Sequence, residues 1–287
     1  MKLALGTAQF GLNYGIANKS GKVSDSNLHS ILSHAKLNNI LKIDTAWAYG
    51  DSEERLGKSN LIDDFKVVTK VPLEIISTGL SVKHYVNESL SRLGVDKVFS
   101  VMFHNPQIVL HENGSNYFKE LHDLKKQGLV EKVGVSVYTL DELEKILENY
   151  SIDIVQIPMS PFDQEFLSTL KVLKKLNIEV HIRSIFLQGL YFLPTGELDT
   201  FFNPVIDKIN NYIKTKNTMG ITTQDFVLGF FKQHQDYIDN ILIAVDNIEQ
   251  LNDNINFFNS IKDIDIDYSV FDFKDNKYRK PNNWELN

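Results

Sequence analysis

Asp44, Lys70 and His104 each close a short apolar run, in Lys42-Ile43-Asp44, Val68-Thr69-Lys70 and Val101-Met102-Phe103-His104. Tyr49 follows Asp44 on the segment Thr45-Ala46-Trp47-Ala48-Tyr49-Gly50. Brought together, these four side chains have the chemistry of a proton donor. A free phenol titrates near ~10, and an ammonium beside it stabilises the phenolate, moving its pKa toward the neutral range where general acids work best. Lys70 is the candidate cation, and Asp44 the carboxylate that keeps it charged and oriented. His104 is a neutral imidazole that positions a substrate carbonyl oxygen. Tyr49 then donates the proton. Each residue alone has an ordinary structural reading: an ion pair for Asp44 and Lys70, a loop anchor for Tyr49, a hydrogen-bonded core histidine for His104. Jointly they favour chemistry, provided the fold brings the run ends to one place.

The surrounding pattern supplies such a fold. Strand-like runs occur at Lys2–Gly6, Ile40–Asp44, Lys66–Lys70, Val98–His104, Lys132–Ser136, Asp153–Ile157, Ile178–Ser184 and Ile241–Val245. Between them apolar residues recur at helical spacing: Leu28, Ile31, Leu32 and Ala35; Val86, Leu90 and Leu93; Leu121, Leu124 and Leu129; Leu140, Leu143, Ile146 and Leu147; Phe166, Leu170 and Leu173; Ile248, Leu251 and Ile255. Ser81 and Thr139 stand where N-caps belong, and Gly94 and Gly128 where helices stop. Strands alternating with helices imply parallel pairing, and closing the sheet removes its exposed edges. The expected fold class is therefore α/β, a single-domain (β/α)₈ TIM barrel over residues 1–287, within the usual range around ~250 residues. In this fold the C-terminal strand ends converge on one mouth. An open dinucleotide-binding sheet is disfavoured, because Gly6-Thr7-Ala8-Gln9-Phe10-Gly11 lacks G-x-G-x-x-G spacing and no helical pattern starts until about Ser24. A Walker-type phosphate loop is also absent. Residues 185–221 form the longest irregular stretch, with a helical part near Pro204–Lys214, and read as a lid. The polar tail 276–287 either crosses the barrel mouth or stays mobile.

Composition narrows the partners. A formal charge of -7 gives no general attraction to phosphate backbones or anionic lipid, so nucleic acid and membrane are disfavoured. With no cysteine, disulfides, thiolate metal sites and a cysteine nucleophile are all removed. The start of the chain lacks a long apolar leader core, and no segment approaches 18 uninterrupted apolar residues; the expectation is a cytoplasmic protein. His29, His34, His84, His111, His122, His181 and His234 lack metal-motif spacing, and Ser52 and Ser136 lack a G-x-S-x-G elbow. No metal ligand is expected. Composition leaves the oligomeric state open.

The run Ile43-Asp44-Thr45-Ala46-Trp47-Ala48-Tyr49-Gly50-Asp51-Ser52-Glu53, followed by Leu56-Gly57, resembles the aldo-keto reductase signature D-T-A-x-x-Y-G-x-S-E-x-x-L-G. Gly6-Thr7, Thr69-Lys70, Phe103-His104, Gly134-Val135-Ser136 and Val155-Gln156 resemble further family segments in the same order, so the resemblance spans nearly the whole chain. It implies reduction of an aldehyde or ketone to an alcohol. Hydride would come from NADPH and the proton from the tetrad Asp44, Tyr49, Lys70 and His104, with Trp47, Tyr49 and His104 contacting substrate. Cofactor contacts are implied at Gly6, Thr7, Asp44, Ser136, Gln156, Arg183, Ser184, Phe186, Gln188, Asp246, Gln250 and Asn254.

The chain departs from the family pattern at three places. Val137 follows Ser136 where the family usually has asparagine, and Arg183 stands where many members stack a tyrosine on the nicotinamide. Arg183 suits a ring face, a pyrophosphate oxygen, an acidic substrate or a structural ion pair. After the eighth strand, Asp246, Gln250 and Asn254 occur without the Lys, Ser and Arg that commonly hold a 2'-phosphate, which also admits NADH. Phe10, Tyr14 and Phe186 join Trp47 as candidate pocket walls, and Asn13, Asn105, Gln107 and Arg183 as polar groups suited to a hydroxylated or sugar-like carbonyl. The alternatives are a sugar or polyol dehydrogenase working oxidatively, a nucleotide-binding module such as the potassium-channel beta subunits, and a metal-dependent barrel enzyme.

Overall fold

A computed structural model describes residues 1–16, 18, 21–261 and 263–285. Its strands are β1 (Lys2–Gly6), β2 (Lys42–Asp44), β3 (Lys66–Val71), β4 (Val98–Phe103), β5 (Val130–Ser136), β6 (Ile154–Pro158), β7 (Glu179–Arg183) and β8 (Asn240–Ala244). They form a closed barrel in sequence order, every neighbouring pair parallel. Closure is made by β8 on β1, in register from Lys2 opposite Asn240 to Gly6 opposite Ala244. The fold is the (β/α)₈ barrel expected from the alternating runs, and strand ends differ from the sequence reading by one or two residues.

The main apolar core lies between the sheet and its helices, where Val67, Val101, Val133, Val155 and Ile241 meet Leu32, Leu90, Leu121 and Ile146. A smaller cluster of Val68, Phe99, Met102 and Ile154 is separate from it. Alternation along a strand puts Val68, Met102 and Ile154 on the same face as Lys70, His104 and Gln156, which identifies this cluster as the barrel interior. Beneath it, at the strand starts, Glu179 bonds both Lys42 and Lys132, and the His181 imidazole lies 2.7 Å from the same carboxylate. Burial alone would raise the Glu179 carboxyl, but hydrogen bonds from His181, Lys132 and Lys42 outweigh it and hold the group well below the usual carboxylate range. The interior therefore has an ionic floor, an apolar middle and a polar top.

Local signals set the helix ends. Ser81 accepts from the His84 amide at the start of Val82–Leu93, and Gly94 ends that helix in the left-handed region at φ 68°. Thr139 and Glu142 form a capping box on Leu140–Asn149. Leu129 and Phe166, read above as helical, lie outside helices: Leu129 precedes β5, and the helix near Phe166 covers only Leu170–Lys175. A short helix at Ala8–Gly11 also precedes the one expected from Ser24. The helix Thr223–Lys232 carries no clear amphipathic stripe, because Phe226, Val227, Leu228, Phe230 and Phe231 are all buried.

Residues 185–221 begin with an irregular 3₁₀ turn at Leu187–Phe192 and end with the helix Ile206–Met219. In the tail, Arg279 bonds Asp272 at 2.6 Å, and Lys280 bonds Asp163 at 2.8 Å and Glu165 at 3.0 Å. Both cations are buried. This ionic anchor precedes Trp284, whose indole donates to the Tyr278 carbonyl at 3.0 Å. Residues 286 and 287 of the tail lie outside the described residues. Among the described residues no helix is long and apolar enough to cross a membrane.

Barrel closure sets one severe packing requirement. Gly134 pairs with Ile154, and a Cβ at Gly134 would overlap the Ile154 carbonyl oxygen. Gly134→Ala is expected to destabilise the chain by about 1–3 kcal/mol in urea denaturation; an unchanged midpoint would contradict this close approach.

Candidate active site

Asp44 ends β2 with its side chain buried inside the barrel rim. One carboxylate oxygen accepts from Lys70 Nζ at 2.6 Å and the other from Gln156 Nε2 at 2.7 Å. Lys70 also donates to the Thr45 carbonyl at 2.8 Å, and Thr7 Oγ1 donates to the Asp44 carbonyl at 3.0 Å. Three strands and the segment after β1 thus meet at one residue. Burial lowers the Lys70 pKa, and the adjoining Asp44 charge and hydrogen bond oppose that shift.

The Tyr49 ring lies over this pair, its centroid 5.2 Å from Lys70 Nζ, and meets the His104 ring edge-on at 5.5 Å. Its backbone is fixed from below. A Cβ on Gly11 would overlap the Tyr49 carbonyl oxygen, and Gly50, at φ 56°, rests on the Gly11 carbonyl. Burial pushes the Tyr49 phenol well above its usual range, and the Asp44 charge adds to the shift. This reverses the expectation that Lys70 lowers it. The main physical reason is burial, which strips the phenolate of its hydration; Asp44, 2.6 Å from the ammonium, also offsets part of the Lys70 field at the phenol. Burial, reinforced by Lys70 and Arg183, lowers the His104 pKa from 6.5 to about 3, so the imidazole is neutral at ordinary pH.

A cavity of about 550 Å³ opens over these groups. Asp44, Tyr49 and His104 line it, with Lys70 buried behind them. Gly6 at the end of β1 and Thr7 after it, Ser136 at the end of β5 and Gln156 on β6 also face the cavity. So do Arg183 at the end of β7, Ser184, Phe186 and Gln188 beyond it, and Asp246, Gln250 and Asn254 after β8. Every position to which the resemblance gave a cofactor contact is thus on one surface. Beyond Arg183 the backbone is contorted: Ser184, Leu187 and Gln188 have φ of 60°, 45° and 54°, a costly conformation for side chains with a Cβ.

Other candidates lie elsewhere. Trp47 does not face the cavity; its indole donates to Glu88 at 2.8 Å, and the Arg92 guanidinium packs on its ring at 4.7 Å. Phe10 is wholly buried in the core, and Asn13, Asn105 and Gln107 are also absent from the cavity wall, whereas Tyr14 is part of it. The structure adds Gln9, Tyr138, Gln224 and Asn282. Gln9 and Tyr138 adjoin recognisable strand ends and were within reach of sequence reasoning. Gln224 in the first turn of helix Thr223–Lys232 and Asn282 in the tail carry no sequence signal. Among the described residues no three His, Asp or Glu side chains are grouped to hold a metal.

With this geometry in hand, comparison with known proteins is decisive on ancestry: the model of the aldo/keto reductase family matches residues 2–268. The chain belongs to the aldo/keto reductase family. It is similar to Protein REDOX 2 of Catharanthus roseus, 31% identical over 194 residues, covering 58% of this chain and 58% of that protein. The methylglyoxal reductase DkgB of Salmonella typhi is 28% identical over 130 residues, covering 42% of this chain and 48% of the relative. The chain thus spans about half the length of these relatives. Among solved structures, the holo form of the aldo-keto reductase AKR11C1 from Bacillus halodurans superposes with a TM-score of 0.72 at 19% identity, over 89% of this chain and 85% of that one. Aldose reductase from Giardia lamblia gives 0.62 at 16%, over 94% and 93%. At such identities these likenesses speak for the fold.

The neutral imidazole has a measurable consequence. The unfolded chain protonates His104 near pH 6.5, whereas the folded chain resists until about pH 3. The unfolded state binds more protons in that window, so stability from this group is complete above pH 6.5 and is lost as pH falls toward 3. His104→Gln is expected to lose less stability than the parent between these limits. Parallel loss in both proteins would contradict the depressed pKa.

Proposed function

We propose that the chain is an oxidoreductase that reduces an aldehyde or ketone with a nicotinamide cofactor, with Tyr49 as the proton donor. The observation that carries this reading is the stacking of Tyr49 over the Lys70–Asp44 pair, with His104 at its edge, on the wall of one cavity. When bound, the cofactor supplies the hydride. The chain's own residues would bind the carbonyl oxygen between the Tyr49 hydroxyl and the neutral His104 ring. A raised phenol pKa keeps the proton on Tyr49 until negative charge develops on that oxygen. Lys70 then stabilises the phenolate, while Asp44 and Gln156 keep the ammonium in place. The oxidative reaction of a sugar or polyol would use the same groups in reverse.

The cavity suits a nicotinamide nucleotide chemically. Gln9 Oε1 is buried without a hydrogen-bond partner on its wall, and Ser136 and Gln156 add polar groups nearby. The loop and helix after β8 would hold the adenosine end. They line the cavity with Asp246, Gln250, Asp253 and Asn254 and with no cation, a set better matched to a free ribose diol than to a 2'-phosphate. NADPH is the implied family cofactor, and these residues favour NADH as a second reading. The name of the Salmonella relative supports a small carbonyl substrate. A cysteine-free chain fits a reducing compartment, and we place its action in the cytoplasm.

Tyr49→Phe is expected to lower turnover of a responsive carbonyl by about a hundredfold to ten-thousandfold. Nucleotide binding, followed by fluorescence, should be nearly unchanged. Unaltered turnover would sink the assignment of Tyr49. Fluorescence titration of the parent with NADH and NADPH tests the nucleotide itself, and binding of neither would overturn the proposed activity.

A further inference from the structure

Arg183 ends β7 on the cavity wall, on the same rim as His104, Asp44 and Ser136. Its guanidinium lies 4.5 Å from the centre of the Tyr138 ring and donates to the Val137 carbonyl at 3.0 Å and, at 3.4 Å, to Ser184 Oγ. These contacts fix its plane and engage only part of a five-donor fork. No carboxylate lies within 4.0 Å of it among the described residues. It is also the sole Lys or Arg among the described residues that line the cavity. Elsewhere this chain pairs its enclosed cations: Lys70 with Asp44, Arg279 with Asp272, Lys280 with Asp163. Among the described residues Arg183 has no counter-ion, and its field reaches the reaction groups, where it lowers the pKa of His104 and opposes the upward shift at Tyr49.

We propose, resting on the carbonyl-reductase reading above, that Arg183 is a specificity residue that selects carbonyl substrates bearing an anionic group, a carboxylate or a phosphate, close to the reacting carbonyl. A planar guanidinium already held by Tyr138 and Val137 presents paired donors to such an oxyanion with little further ordering. Phosphate or carboxylate then supplies the counter-ion that the protein withholds, and the carbonyl end remains for Tyr49 and His104. Tyr14, on the same wall as Gln188, sits within the field of Arg183 and adds a neutral donor.

The test compares matched substrates: butanal against 4-oxobutanoate, and glyceraldehyde against glyceraldehyde 3-phosphate. The parent should prefer at least one anionic member in kcat/KM, and which pair shows the preference tells carboxylate from phosphate. In Arg183→Gln the anionic-to-neutral ratio should fall by about tenfold or more, whatever the absolute rate of the variant, with Arg183→Lys intermediate. A parent with no anionic preference, or a ratio unchanged in Arg183→Gln while nucleotide binding weakens, overturns the proposal and leaves the carbonyl-reductase reading intact. If no carbonyl is turned over, that reading fails separately, and calorimetric binding of 4-oxobutanoate and glyceraldehyde 3-phosphate, with and without nucleotide, decides on Arg183. Binding lost in Arg183→Gln supports it, and absence of anion binding by the parent overturns it.

Discussion

The buried contact between Asp44 and Lys70 is the interaction around which the top of the barrel is arranged. Enclosing a carboxylate and an ammonium costs several kcal/mol for each ion unless each finds a partner of good geometry. Here the pair is 2.6 Å apart, with Gln156 on the second carboxylate oxygen and the Thr45 carbonyl on the ammonium. Those partners come from β2, β3, β6 and the loop after β2. The hydrogen bonds that satisfy the pair therefore also hold together the strand ends that carry the cavity wall. Tyr49 is placed on this platform by glycine contacts at Gly11 and Gly50 rather than by bonds of its own hydroxyl.

The same pair separates what was legible in the sequence from what was not. The strands were readable because both faces of a barrel sheet are buried, which leaves near-continuous apolar runs closed by a polar residue. Asp44, Lys70 and His104 stood out for that reason. The electrostatics did not follow from residue types. A lysine near a tyrosine suggests an acidified phenol, but the ammonium is committed to Asp44, and burial controls the titration of Tyr49. Trp47 misled in a similar way: proximity to Tyr49 along the chain suggested a shared pocket, whereas a loop turn sends its indole to Glu88 and Arg92. Helix Thr223–Lys232 was hard to read because its middle, Phe226 to Phe231, is an unbroken buried run with polar residues only near its ends.

Charge is distributed unevenly around the cavity. Among the described residues, its β7 side carries Arg183 with no carboxylate within 4.0 Å, and the segment after β8 lines it with Asp246 and Asp253 and no Lys or Arg. Burial raises the Asp246 pKa, partly offset by the bond to Gln250. A chain of net charge -7 thus places Arg183 on the same cavity wall as its proposed proton donor, as the one Lys or Arg among the described lining residues. The left-handed residues after Arg183 belong to the same region, which shows that packing there overrides local backbone preference.

The apolar layer of Val68, Phe99, Met102 and Ile154 has a kinetic meaning. It separates the ionic floor, with Glu179 and His181, from the polar groups of the rim. The polar atom at that level is the buried Ser100 hydroxyl, which has no hydrogen-bond partner among the described residues, so no continuous hydrogen-bonded chain joins the floor to the rim there. In the proposed reaction, the proton that leaves Tyr49 is replaced through the mouth that ligands also use. Recharging the acid is thereby tied to the traffic of ligand and water at that opening.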